Sequence, residues 1–205
     1  MTTQNSSTPS TRRVAIADAV IELLAEPASR RVTHRAVDRR LTMPEGSTSA
    51  YFRTRAALLA AAARRLAELD HAALAELGQR AGGEAVAVQL HTVIAEVVKD
   101  WTSGRGRMRQ LARMELQLEA RGLPELAETF ARQRTSFLRS VEELIATEQP
   151  ALPPTDIRLL ASTVVALIEG LISDRLLNHS DGSGFDEEVS RAVHLLLTFT
   201  GRRRR

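Results

Sequence analysis

The sequence reads as an all-α protein, and three observations predict it. Apolar residues recur at three- and four-residue spacing along most of the chain. Ala, Leu, Arg and Glu, all good helix formers, dominate, while aromatic residues make up only 3%. The prolines fall between the periodic stretches or at a first turn.

From Arg12 onward, Val14, Ala17, Val20, Ile21 and Leu24 define a first helix. Glu26-Pro27 closes it, because proline disfavours helix in the residue before it. Thr33 is placed to cap a short second helix through Arg40, and Pro44 marks a break before a third short segment, Glu45 to Phe52. Thr54 is the next cap. Behind it Leu58, Leu59, Ala62, Leu66, Leu69 and Ala73 predict a long helix to about Gly78, with Gly82-Gly83 as a joint. Val86, Leu90, Val93, Ile94, Val97 and Trp101 form one apolar stripe before a loop at Ser103 to Gly106. A helix over Arg107 to Arg121 stops at Gly122, and Pro124 opens another to about Thr147, with Leu126, Phe130, Phe137, Val141, Leu144 and Ile145 inward. Pro150, Pro153 and Pro154 end it. The last two helices are Asp156 to His179 and Phe185 to Thr200, joined by the loop Ser180 to Gly184.

Composition narrows the function classes. The 205 residues are 43% apolar and 26% charged, enough to bury a core and too hydrophobic for wholesale disorder. No apolar run approaches the roughly 20 residues that cross a bilayer, and the Ser/Thr-rich start, Met1 to Thr11, lacks a signal-peptide core, so a cytoplasmic protein with an unfolded 1–11 tail is expected. The absence of cysteine excludes disulfides, thiolate metal sites and thiol nucleophiles. The net charge of +3 permits an anionic partner without demanding one.

No catalytic constellation, metal site or cofactor motif emerges. The five histidines, at 34, 71, 91, 179 and 194, form no His-Glu-x-x-His pair. Glu68-Leu69-Asp70-His71 has the spacing of half a carboxylate-bridged di-iron site, but that chemistry needs the motif twice. Gly104-Arg105-Gly106 follows no strand and lacks the rest of a nucleotide loop, so it reads as a turn. Arg202 to Arg205 reads as a solvated basic tail.

Two patterns point to partners. In the segment before the final loop, Ile157, Leu160, Val164, Leu167 and Leu171 line one side of a helix while Val165, Ile168, Ile172 and Leu176 line another. A helix apolar on two sides is buried on two sides, either inside a monomer or by a second subunit. The final helix is similarly two-sided, and Gly170 would admit a close neighbour, so the expected dimer interface comprises Val164, Leu167, Gly170, Leu171, Val193 and Leu196. The second pattern is Val32 to Phe52, the length of two short helices joined by a tight turn. Val37, Leu41, Met43 and Phe52 would face the first helix, leaving Arg35, Arg39, Ser47, Thr48, Ser49 and Tyr51 exposed, with Arg53 and Arg55 following. Short hydroxyls suit base edges in a major groove and arginines suit phosphates, although a basic solvated face has the same composition.

At this point the chain resembles the TetR/AcrR family of transcriptional regulators. The resemblance rests on the first helix, Arg12 to Ala25, the capping Thr33, Tyr51-Phe52, and Arg55 before the pair Leu58-Leu59. It is strongest over Tyr51-Phe52-Arg53-Thr54-Arg55-Ala56-Ala57-Leu58-Leu59. It implies an all-α fold with an N-terminal three-helix, helix-turn-helix head over residues 12–54, a connecting helix over 55–78, and a ligand-binding and dimerisation domain over 79–201, followed by the 202–205 tail. It implies a ligand-responsive repressor, not an enzyme, that binds a double-stranded DNA operator as a homodimer and answers to an unidentified small-molecule effector. A helical-bundle enzyme or carrier is the alternative. The DNA contacts implied are Thr33, Arg35, Glu45, Gly46, Ser47, Thr48, Ser49, Tyr51, Arg53, Thr54 and Arg55, with Ser47, Thr48 and Tyr51 at the bases and Arg53, Thr54 and Arg55 on phosphates. The pocket implied draws on Trp101, Met108, Met114, Gln117, Phe130 and Phe137, apolar or polarizable groups with few polar partners. Low aromatic content argues against a large ring-lined multidrug pocket.

The chain departs from the family pattern at three places. Thr42 stands where the turn usually has Gly, Asp38 where a small residue usually follows the buried aliphatic of the second helix, and Thr48-Ser49 where the third helix usually has Leu-Tyr. Tyr51 and Phe52 are therefore expected to supply most of that helix's contacts with the core.

Overall fold

The computed structural model describes residues 9–26, 32–81, 90–178, 187, 189–192 and 194–195. Of the expected 1–11 tail, residues 1–8 lie outside them, as do the Gly82-Gly83 joint, Val86, the Ser180 to Gly184 loop, Val193, Leu196 and the 202–205 tail; Pro9 to Thr11, expected unfolded, are instead the start of the first helix, where proline fits a first turn. Among the described residues the helices are, in order, α1 (Pro9–Ala25), α2 (His34–Arg40), α3 (Ser47–Tyr51), α4 (Arg55–Ala81), α5 (Leu90–Thr102), α6 (Gly104–Ala120), α7 (Pro124–Glu148) and α8 (Pro154–Asn178). The described positions from 187 to 195 are helical as well. Among the described residues there is no strand, and no helix is long and apolar enough to cross a membrane.

The chain divides into two units, Met1–Leu69 with Leu111–Ala131, and Asp70–Gln110 with Arg132–Arg205. In the first, α1 buries Ala17, Val20, Ile21 and Leu24 as its periodicity predicts, together with Ile16 and Ala19, whereas Val14, expected on the same stripe, is exposed because the buried line passes through Ile16 and Ala17 in that turn. α4 is more deeply set. Leu58 to Ala63 and Leu66 are all buried, so its first turns are covered on nearly every side, which the run of alanines permits by keeping the helix thin. Ala112 and Leu116 of α6 and Leu126 of α7 complete this core.

The turn between α2 and α3 carries local strain. Thr42 has φ +52°, the left-handed region that a β-branched side chain disfavours by about 1–2 kcal/mol. Its neighbours hold it there: the Thr42 N–H donates to Arg39 O (3.2 Å) and the Met43 N–H to Asp38 O (2.8 Å). The backbone thus keeps the turn geometry without the glycine that would make it easy.

In the second unit α5 packs on α8. α5 contributes Ile94, Ala95, Val97, Val98 and Trp101, and α8 contributes Leu160, Ala161, Val164, Val165, Ile168, Ile172 and Leu176, all buried. Two expectations are corrected here. Leu144, expected inward on α7, is 47% exposed, because Val141 and Ile145 share the buried line and Leu144 falls to its side. Gly104-Arg105-Gly106, read as a turn, is the first turn of α6. There the Arg107 N–H donates to Ser103 O, and α6 starts immediately against the end of α5.

That closeness depends on Gly106. A Cβ at this position would lie 1.9 Å from the Asp100 carbonyl oxygen and 2.9 Å from Trp101 Cα, both backbone atoms that cannot swing away. Gly106→Ala is expected to destabilise the protein by about 1–3 kcal/mol in denaturant unfolding. Gly122→Ala, whose Cβ would meet nothing closer than 4.0 Å, should stay within about 0.5 kcal/mol of wild type.

Candidate DNA interface

The segment singled out by sequence begins with a capped helix. Thr33 has extended backbone, and its hydroxyl accepts from the Ala36 N–H (3.2 Å), closing the first turn of α2. Arg40 at the other end of α2 pairs with Glu22 of α1 (3.1 Å) and with Glu26 just past its end. Arg39 beside it is exposed. Arg35 is exposed too and pairs with Glu45 (2.7 Å), a solvent-screened contact of small net value.

α3 has five residues, too few to sustain itself, since most of its N–H groups lie in the first turn and have no acceptor within the helix. Its N-cap is Gly46, at φ +90° and with no side chain to cap anything. The acceptor comes from α2. Asp38, 2% exposed, receives the Gly46 N–H on Oδ2 (2.8 Å) and both the Thr48 N–H (2.8 Å) and Thr48 hydroxyl (2.6 Å) on Oδ1. Burial alone would push its carboxyl up. The Thr48 hydroxyl, the Thr48 and Gly46 amides and the nearby His34 outweigh burial and hold it below the usual value.

The C-terminal end of α3 is tied as well. His34 Nε2 donates to Phe52 O (2.7 Å), and Arg13 Nη1 of α1 donates to Tyr51 O (3.2 Å). The Arg13 guanidinium also stands 5.3 Å from the centroid of the Phe52 ring and 5.9 Å from that of Tyr51. Phe52 is buried, Tyr51 half-buried.

Two predicted contacts are placed differently from the sequence expectation. Thr48, expected exposed at the bases, is fully buried, and its hydroxyl is spent on Asp38. It therefore anchors the helix, a task assigned by sequence to Tyr51 and Phe52. Arg55, expected on phosphate, is turned inward. Its Nη1 and Nη2 grip Glu119 of α6 side by side (2.9 and 2.5 Å) and its Nε donates to Val32 O (3.2 Å). The remaining residues are disposed around α3. Glu45, Gly46, Ser49, Arg53 and Thr54 are exposed and Ser47 is half-buried, its hydroxyl on Pro44 O (2.7 Å). Thr54 also caps α4, accepting from the Ala57 N–H (3.1 Å). Sequence reasoning passes over Asp38, His34 and Arg13 as site residues. The signal for Asp38 is that it departs from the family pattern together with Thr48.

The predicted pocket and interface residues spread over both units. Trp101, Met108 and Phe137 belong to the second, where the Trp101 and Phe137 rings lie 6.0 Å apart and the buried Trp101 Nε1 finds no acceptor among the described residues. Met114, Gln117 and Phe130 belong to the first, with Gln117 exposed. On α8, Val164 is fully buried in its own chain, a correction to its place in a dimer face, whereas Gly170 is exposed and Leu167 and Leu171 are half-buried.

Comparison with known proteins decides the family. Residues 87–198, more than half of the chain, match the family described as "Tetracyclin repressor-like, C-terminal domain". The chain belongs to the TetR family. TetR proteins are transcriptional regulators, not enzymes, and this chain is a transcriptional regulator. Solved TetR-like structures agree in fold. A member of the TetR family from Streptomyces coelicolor A3 is 26% identical, with 90% of this chain and 97% of that one covered at a TM-score of 0.66. A transcriptional regulator from Rhodococcus sp. Rha1 is 16% identical, with 94% and 95% covered and a TM-score of 0.73. The multidrug binding protein EbrR, solved with imidazole, is 26% identical, with 90% and 94% covered and a TM-score of 0.64. No curated protein sequence matches the chain.

Two measurements test the geometry. Because the folded-state pKa of Asp38 is depressed, its carboxylate contributes stability that is full above the ordinary aspartate value of about 3.9 and is lost as pH falls through the lower folded value. Asp38→Asn should be less stable than wild type at neutral pH, and the gap should narrow below about pH 4 in urea unfolding. For the clamp on α4, Arg55→Met and Glu119→Gln should each destabilise by about 1–2 kcal/mol, and the double variant by less than their sum, since either single change already breaks the shared ion pair.

Proposed function

We propose that this TetR-family chain is a ligand-responsive repressor that acts in the cytoplasm and binds a palindromic operator as a homodimer. The observation that carries the reading is α3. Both its ends are tied down on α1 and α2, while Ser49, Arg53 and Thr54 stay exposed and Ser47 and Tyr51 half-exposed. A short, anchored, polar-faced helix flanked by arginines suits entry into a major groove. Ser47, Ser49 and Tyr51 take the base edges, and Thr33, Arg35, Arg39, Arg53 and Thr54 the phosphates, with Arg35 exchanging Glu45 for the more highly charged backbone.

The dimer reading is supported by α8. Leu159, Thr163, Ala166, Gly170 and Leu177 are exposed at spacings of four, three, four and seven, one continuous line of leucines and small residues. A second copy would cover that line together with the half-buried Leu167 and Leu171 in a two-fold arrangement. The effector reading is supported by Trp101, whose buried donor lacks an acceptor beside Phe137, and by the imidazole held by EbrR. In this reading a bound effector lowers the affinity of the head for its operator. Operator and effector must then weaken each other by the same factor, typically about 5- to 150-fold.

Selection from a random DNA pool by purified protein tests the reading. Enrichment of two inverted half-sites about 10 base pairs apart is expected. Ala166→Glu, at an exposed position, should sediment as a folded monomer and lose the enriched duplex. A pool that yields no preferred sequence overturns the proposal.

A further inference from the structure

The buried carboxylate beneath the third helix does more than fill space. Asp38 places its two oxygens on two amides at the start of α3 that are two residues apart, and takes the Thr48 hydroxyl as a third donor. One acceptor would fix the helix end at a point. Two acceptors on one planar group also fix its rotation, because turning α3 about its axis would pull one amide off while pressing the other in. Gly46 cannot resist such a turn itself, having no side chain and no cap of its own. A buried carboxylate left without these donors would be costly, so the arrangement is held from both sides.

We propose that Asp38 is a positioning residue for DNA reading: with Thr48 as its lock, it sets the rotation at which α3 offers Ser47 and Ser49 to the bases. The proposal rests on the DNA-binding reading above. Asp38 and Thr48 are both buried, which leaves neither side chain a surface to offer a nucleotide. Their influence is therefore on sequence preference, whereas the phosphate contacts of Arg35, Arg39 and Arg53 come from elements whose own anchors differ.

The test compares two duplexes of equal length at one salt concentration, the one that wild-type protein enriches from a random pool and one of unrelated sequence. Asp38→Ala and Thr48→Val should lose about tenfold or more on the enriched duplex, while affinity for the unrelated duplex stays within about threefold and the salt slope is unchanged. Thr48→Ser keeps the hydroxyl and should retain the preference. The swap Asp38→Ala/Thr48→Leu replaces the polar pair by apolar groups of similar total volume and should remain folded with altered preference. Hydrogen exchange at the Gly46 and Thr48 amides should quicken in Asp38→Ala while Leu58 to Leu66 in α4 stays protected. Equal losses on both duplexes, or no loss in folded Asp38→Ala and Thr48→Val proteins, would overturn the positioning role. Failure of wild type to select any duplex would instead remove the DNA-binding reading itself.

Discussion

A helix of five residues cannot hold its own shape, and the head of this protein is organised around that constraint. α3 has few internal acceptors for its amides, almost no apolar surface, and a glycine where a cap belongs. Its geometry is imposed from outside. Asp38 satisfies the amides at one end, and Arg13 and His34 occupy carbonyls at the other. Three side chains from two neighbouring helices thus supply what longer helices draw from their own backbone. Asp38 is buried and His34 half-buried, so each would be costly to leave unpaired and its bond stabilises both partners at once, whereas Arg13 makes its contact from an exposed position.

The same logic of mutual satisfaction extends away from the head. Arg40 closes α2 onto α1 through two glutamates, Arg65 joins α4 to Asp18 of α1 (2.8 Å), and Arg55 spans α4 to Glu119 of α6 while reaching the Val32 carbonyl. An arginine-rich composition is therefore a poor guide to nucleic-acid contact in this protein. Arg40, Arg55 and Arg65 are used to orient helices through ion pairs, while Arg35, Arg39 and Arg53 around α3 are exposed. The planar, bidentate guanidinium suits the first task because it fixes direction as well as distance.

Unpartnered features mark the remaining questions of function. The exposed line on α8 carries leucines that a lone chain gains nothing by showing to water, and a helix with its other side already buried has room for a partner there. Trp101 keeps a buried donor without an acceptor among the described residues. Thr42 holds a left-handed backbone conformation at a cost that a glycine would avoid. The end of α5 and the start of α6 approach so closely that only glycine fits at 106. Strain and open valence sit at the turn of the head and inside the second unit, while the α1–α4 core is closed.

Helix order, the caps at Thr33 and Thr54 and the buried faces of α1, α5 and much of α8 are legible in the sequence, because local periodicity and capping chemistry depend on residues within a turn or two of one another. The family is legible for the same reason, from the contiguous run Tyr51 to Leu59. What escapes is every interaction between residues distant in sequence. Nothing local distinguishes Arg55, which is turned inward, from Arg53, which is exposed, because Glu119 lies 64 residues away. Thr48 reads as a surface hydroxyl until Asp38, ten residues earlier, is placed beneath it. Val164 reads as available on a two-sided helix, yet it is fully buried within its own chain. The sequence by itself determined where helices form and which faces are apolar, since both follow from short-range geometry. Only the tertiary structure decided which polar groups are consumed in holding helices together and which remain for a partner, since that depends on which distant donor meets which acceptor.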